Sequence, residues 1–85
     1  MISEKKRLEI ANICYANVAG EFAMFNNPKY RGENFTWDWF IQHCEDEADL
    51  WMMISNVRGH QASIRFAAKT YAKGIAETLV WRMQQ

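Results

Sequence analysis

Over the first 25 residues, apolar side chains recur at alternating spacings of three and four: Leu8, Ala11, Tyr15, Val18, Phe22 and Phe25. That period puts them on one face of a helix. Ile10, Cys14 and Ala19 widen the stripe. Ser3 is a good N-cap and Glu4 follows it, where the helix dipole favours an acid. The pattern predicts a helix over 3–25. Gly20 weakens it by about 1 kcal/mol relative to Ala and marks a place where it can bend.

From Asn26 to Asn34 the period is lost. Asn, Pro28 and Gly32 disfavour helix through local side-chain bonding, a missing donor and backbone entropy, so this segment reads as a loop. A second stripe follows, formed by Trp37, Ile41, Cys44, Ala48, Trp51 and Ser55, with Phe40, Met52 and Ile54 beside it. Thr36 caps it and Asp38 lies in its first turn. Gly59 can take the left-handed conformation that closes a helix, and Arg58 suits that end of the dipole. The predicted helix spans 36–57. A third helix is predicted over 61–83, with Ile64, Ala68, Tyr71, Ala72, Ile75, Leu79 and Met83 facing the core. Phe66, Val80 and Trp81 fall off that stripe.

The first and third helices are rich in small residues: Ala11, Ala16, Ala19, Gly20 and Ala23 against Ala62, Ala67, Ala68, Ala72, Gly74 and Ala76. Small side chains let helix axes approach closely, so these two helices are expected to pack together, capped by the aromatic second helix. The fold class is all-α: one compact three-helix bundle over residues 1–85, completed by oligomerisation.

Composition motivates that last clause. The chain is 49% hydrophobic and carries four Trp, five Phe, three Tyr and five Met. A domain this small buries only about 60–65% of its unfolded surface. Three helices cannot hide so many large side chains, and surplus apolar surface marks interfaces. A homo-oligomer is expected, a dimer first, together with a larger protein partner. The two cysteines, a polar N-terminal segment and the lack of an 18-residue apolar run read as a cytoplasmic protein with reduced thiols and no membrane span.

Charge sums to zero but is unevenly placed. Residues 33–49 hold six acids and no Lys or Arg, whereas residues 58–82 hold five bases and one acid, Glu77. This suits attraction between antiparallel helices, or self-association.

Candidate chemistry is sparse. His43 and Glu47 share a helix face and could supply two metal ligands, but a site needs three or four. His60 and Cys14 are the only further soft donors. The acidic run is better read as a solvated face opposite the basic third helix, with no metal and no cofactor. Arg65, Lys69 and Lys73 lie four apart, with Arg58 and His60 just before them, a stripe able to track nucleic-acid phosphates. A helix-turn-helix reading of residues 54–65 fails, because charged residues stand where apolar contacts are needed. Cys14 and Cys44 occupy core-type positions, where thiols are inert. The four glycines are isolated, so no phosphate loop is present. No enzymatic activity is expected.

The aromatic group Phe35, Trp37, Trp39 and Phe40 exceeds structural need. Trp37 and Trp39 point about 200° apart on a helix, so one core cannot receive both. Trp51-Met52-Met53-Ile54 covers every side of a turn, and one Met should lie outside. The expected function is a non-enzymatic protein–protein interaction module on the second helix. Trp37, Trp39, Trp51 and Met52 are its apolar anchors, and Glu45, Asp46 and Asp49 its acidic rim. By compositional analogy it resembles the small inhibitors that phages and mobile elements direct at larger host proteins. The alternative is a nucleic-acid-binding module using Arg58, Arg65, Lys69 and Lys73.

Overall fold

A computed structural model describes residues 2–59 and 61–85. Expectations placed on His60 fall outside them. Within these residues the chain forms α1 (Glu4–Phe25), a 3-10 turn (Pro28–Tyr30), α2 (Trp37–Ile54) and α3 (Gln61–Met83). This is an all-α three-helix bundle.

Local chemistry sets the helix ends. The Ser3 hydroxyl accepts from the Lys6 amide at 3.1 Å, and the Thr36 hydroxyl from the Trp39 amide at 2.9 Å. Each satisfies one orphan donor of a first turn. In the connection, Asn27 caps the Lys29 amide at 3.0 Å and Pro28 opens the 3-10 turn. The predicted loop therefore contains one ordered turn.

α2 ends at Ile54, three residues before the predicted position, and Gly59 is not its cap. Asn56 takes the left-handed conformation, with φ 57°. Its amide donates to the Met53 carbonyl and the Val57 amide to the Met52 carbonyl, both at 3.0 Å. This paired closure needs one residue at positive φ, and asparagine tolerates it. Gly59 serves the connection instead. Its φ is 140°, and a side chain there would come 3.0 Å from Ile64 Cδ1.

Most of the core lies in rows spaced by four: Ile10, Cys14 and Val18 on α1; Phe40, Cys44, Ala48 and Met52 on α2; Ile64, Ala68, Ala72, Ala76 and Val80 on α3; Phe25 and Trp51 complete it. Such a row drifts about 40° around the helix per step, because four residues exceed one turn of 3.6. Rows of this kind meet when helices cross obliquely. The alternating three-and-four stripe expected on α1 follows the helix axis instead, so part of it turns outward. Leu8 is 60% exposed and Tyr15 is exposed with it. On α2, Ser55 and Ile54 are likewise exposed and Trp37 and Ile41 only half-buried. On α3, Val80 is buried, whereas Met83 is exposed.

The small-residue interface is one-sided. Ala68, Ala72 and Ala76 are fully buried, but Ala16, Gly20 and Ala23 on α1 face outward. The α3 alanines receive larger α1 side chains, and the Cys14 thiol reaches the Ala68 carbonyl at 3.4 Å. α1 and α3 run unbroken through Gly20 and Gly74. α3 packs along both other helices, while α1 and α2 meet sparingly. The result is flattened, 39 × 24 × 16 Å. No helix among the described residues is long and apolar enough to cross a membrane.

Candidate protein-docking site

The place where α1 and α2 do meet is an aromatic cluster at one end of the bundle. Phe22 and Phe25 come from the last turn of α1, Phe35 from the connection, and Trp37, Trp39, Phe40 and His43 from the first turns of α2. The Thr36 cap fixes where α2 begins, and helical spacing then sorts its rings. Trp37 and Phe40, three apart, face inward. Trp39 and His43, four apart, share the outer side. Phe40 is fully buried, with ring centroids at 5.5–6.1 Å from Trp37, Phe25 and Phe22. Phe25 stacks on Phe35 at 5.3 Å.

Trp39 remains 44% exposed, yet it is held on several sides. Its ring lies flat on His43, at 4.8 Å and 10°. Phe25 and Phe35 meet it at 5.6 and 5.7 Å. His43 is fixed in turn by Glu21 of α1, whose carboxylate accepts its Nε2 hydrogen at 2.7 Å. Beneath the rings, the Arg31 guanidinium lies 5.1 Å from Phe35 and 5.2 Å from Trp37, and its Nε donates to the Phe25 carbonyl at 2.6 Å. Beside Trp39 opens a surface pocket of about 260 Å³, lined by Phe25, Gly32, Glu33, Asn34, Phe35 and Trp39.

The predicted anchors divide. Trp37 is half-buried and packs on the core. Trp39 is the exposed one of the pair, which matches the expectation that the two cannot share one core. Trp51 and Met52 are 6% and 4% exposed, which corrects their assignment as surface anchors. Met52 continues the Phe40–Cys44–Ala48 row and so points inward. Met53 points outward at 74% exposure.

The predicted acidic rim divides as well. Asp46 is exposed and Glu45 half-buried. Both accept from the Gln42 amide nitrogen, at 3.0 and 3.2 Å, which orients them on one side of α2. Asp49 is turned to α3, where its Oδ2 lies 2.9 Å from Arg65 Nη2 and 3.7 Å from Lys69 Nζ. Lys69 also reaches the Glu45 carbonyl at 3.4 Å. Of the α2 acids, Asp49 alone pairs with α3 among the described residues, so the expected attraction between the two helices rests on one carboxylate. Two of the four cations proposed for nucleic acid are engaged this way. Arg58 and Lys73 are exposed and make no ion pair among the described residues.

His43 pairs through Nε2 with Glu21 and stacks on Trp39. Among the described residues no three His, Cys, Asp or Glu side chains converge as a metal shell requires. Both thiols are fully buried and free. Burial pushes Cys14 up to about 11, against a smaller lowering by the Ala72 backbone. Burial, aided by the charges of Glu21 and Glu47, pushes Cys44 up to about 12. Neither thiol is disposed to act as a nucleophile at neutral pH.

Sequence spacing gave no sign of Glu21, which lies 22 residues from His43. Glu33 and Asn34 looked like ordinary loop residues. Comparison of the chain with protein-family models, curated proteins and solved structures finds no match in any of the three.

Proposed function

We propose that the chain is a protein-interaction module that docks a larger protein through the aromatic end, with Trp39 as its central anchor. The observation that carries this reading is an exposed tryptophan already held in place, by His43 on one face, Phe25 and Phe35 at its edges, and Glu21 behind the histidine. Binding orders little that is not ordered beforehand, and tryptophans so prepared dominate interface energetics. Asp46 and Asp38, exposed on the same helix, supply a polar rim. The composition fits small inhibitors of larger host proteins, and that is the class of partner proposed.

The test is affinity capture from the native host with wild type, Trp39→Ala and Met53→Ala. Wild type and Met53→Ala should retain the same partner, and Trp39→Ala should lose it. Equal retention by all three would sink the assignment.

Self-association is the second reading, favoured by the outer α1–α3 face. Leu8 and the 75%-exposed Phe66 flank two hollows of about 480 and 540 Å³ that share Arg7 and Tyr71. The accessible surface is 5911 Å², above the roughly 5,200 Å² a compact 10.0 kDa monomer exposes. Sedimentation at micromolar concentration should show a species larger than the monomer. A clean monomer overturns this reading alone.

A further inference from the structure

We propose that the pocket beside Trp39 receives one cationic side chain, arginine or lysine, carried by a basic segment of the protein partner. The inference rests on the docking role proposed for this end of the bundle and names the chemistry it selects.

Phe25, Phe35 and Trp39 line the pocket together with Gly32, Glu33 and Asn34. Trp39 meets Phe25 at 81° and Phe35 at 60°. Phe25 and Phe35 lie stacked at 23°, so Trp39 stands across both. The face of an aromatic ring attracts a cation, that of tryptophan most strongly. The volume of about 260 Å³ exceeds the roughly 150 Å³ of a dry cavity that takes a benzene-sized guest. A guanidinium or ammonium head therefore fits with part of its stem.

The molecule already shows that this cluster holds a cation. Arg31 lies over Phe35 and Trp37 and hydrogen-bonds the Phe25 carbonyl. Arg31 does not line the pocket, so the pocket is a second position on the same aromatic group. Charge complementarity points the same way. Residues 29–47 carry five acids, Glu33, Asp38, Glu45, Asp46 and Glu47, against two bases, Lys29 and Arg31. None of those five acids makes an ion pair among the described residues. Glu33 is the acid that lines the pocket itself, and a basic segment lying along this stretch meets attraction.

The test is an amide and indole NMR titration of the full chain. The probes are four blocked pentapeptides, each with one central Arg, Lys, Leu or Glu between glycines. The Arg and Lys peptides should shift the Trp39 indole signal and the Gly32, Glu33 and Asn34 amides saturably. The Leu and Glu peptides should not. Glu33→Gln exchanges an exposed carboxylate without touching the core, and should weaken the Arg peptide about two- to fivefold at low salt. Trp39→Ala should abolish the response while the remaining spectrum stays folded. A Leu peptide that binds as well as the Arg peptide makes the pocket an apolar receptor and overturns the proposal. So does silence from all four peptides, or Glu33→Gln binding like wild type. None of these outcomes touches the capture experiment. Loss of the partner with Trp39→Ala can stand while this inference falls.

Discussion

The two ends of the bundle both expose large apolar side chains, but in different ways. At the aromatic end, Trp39 is braced by three rings, and one of them, His43, is itself hydrogen-bonded to Glu21. At the α2–α3 turn, Met53 and Ile54 are more exposed than Trp39. The turn is shaped by backbone, through the left-handed Asn56 and its paired amides. It also borders the larger hollow, about 630 Å³ against about 260 Å³. Volume and exposure alone would place a working surface at the turn. The docking surface is proposed at the aromatic end instead, because affinity depends on how little must be ordered on binding.

The sharpest way to break this contrast is a pair of truncations. Phe40→Ala removes a fully buried ring that touches three others. It should cost about 3–5 kcal/mol, a large share of the roughly 4–13 kcal/mol that holds an 85-residue domain together. Met53→Ala should stay within about 0.5 kcal/mol of wild type. Urea denaturation measures both. Equal costs would mean that the two ends are equally organised.

Next in size is an alkaline effect. Cys44 sits below the aromatic end, and its pKa is raised from 9.0 to about 12. Above pH 9 the unfolded chain loses this proton while the folded chain keeps it, so stability must fall with rising pH. The loss runs from pH 9 to about 12, with a slope up to about 1.4 kcal/mol per unit. Removing the thiol removes the effect. The stability of wild type relative to Cys44→Ala should therefore decline across that window, and a constant difference would show that Cys44 is not held neutral. Cys14 follows the same sign over a narrower range, ending at about 11.

At the turn, Asn56→Ala should cost about 1 kcal/mol, because alanine pays for the left-handed backbone. Asn56→Gly should be neutral or stabilising. Thermal unfolding of the pair tells whether the turn is held by backbone conformation. Equal values would assign its stability to side chains.

How much of this was legible in the sequence follows from range. Helix positions and starts were readable, since Ser3 and Thr36 act through bonds three residues long. The end of α2 was not. Gly59 is the stronger turn signal, but Asn56 lies nearer the last buried residue, Met52, and closes the helix first. The face of α1 was misjudged because spacing alone does not give the crossing angle between helices. Ile10–Cys14–Val18 and Leu8–Tyr15 are both consistent with a helix, and only tertiary packing chooses. Trp39 was legible by elimination against Trp37. Its support was not, because Glu21, Phe25 and Phe35 reach it across a chain reversal.

The smallest effect expected tests the electrostatic link between α2 and the turn end. Asp49→Asn keeps the shape of the side chain and removes its charge. Arg65 and Lys69 both approach Oδ2, while Oδ1 is buried with no hydrogen-bond partner among the described residues. Desolvation of that oxygen offsets part of the Coulomb gain. The Arg65 side chain is 62% exposed, so water screens the pair. The cost should be below about 1 kcal/mol at low salt. It should vanish near 1 M salt, where the screening length is about 3 Å. A salt-independent loss would show that Asp49 acts as a structural hydrogen-bond acceptor. The turn end would then be braced by side chains, as the aromatic end is.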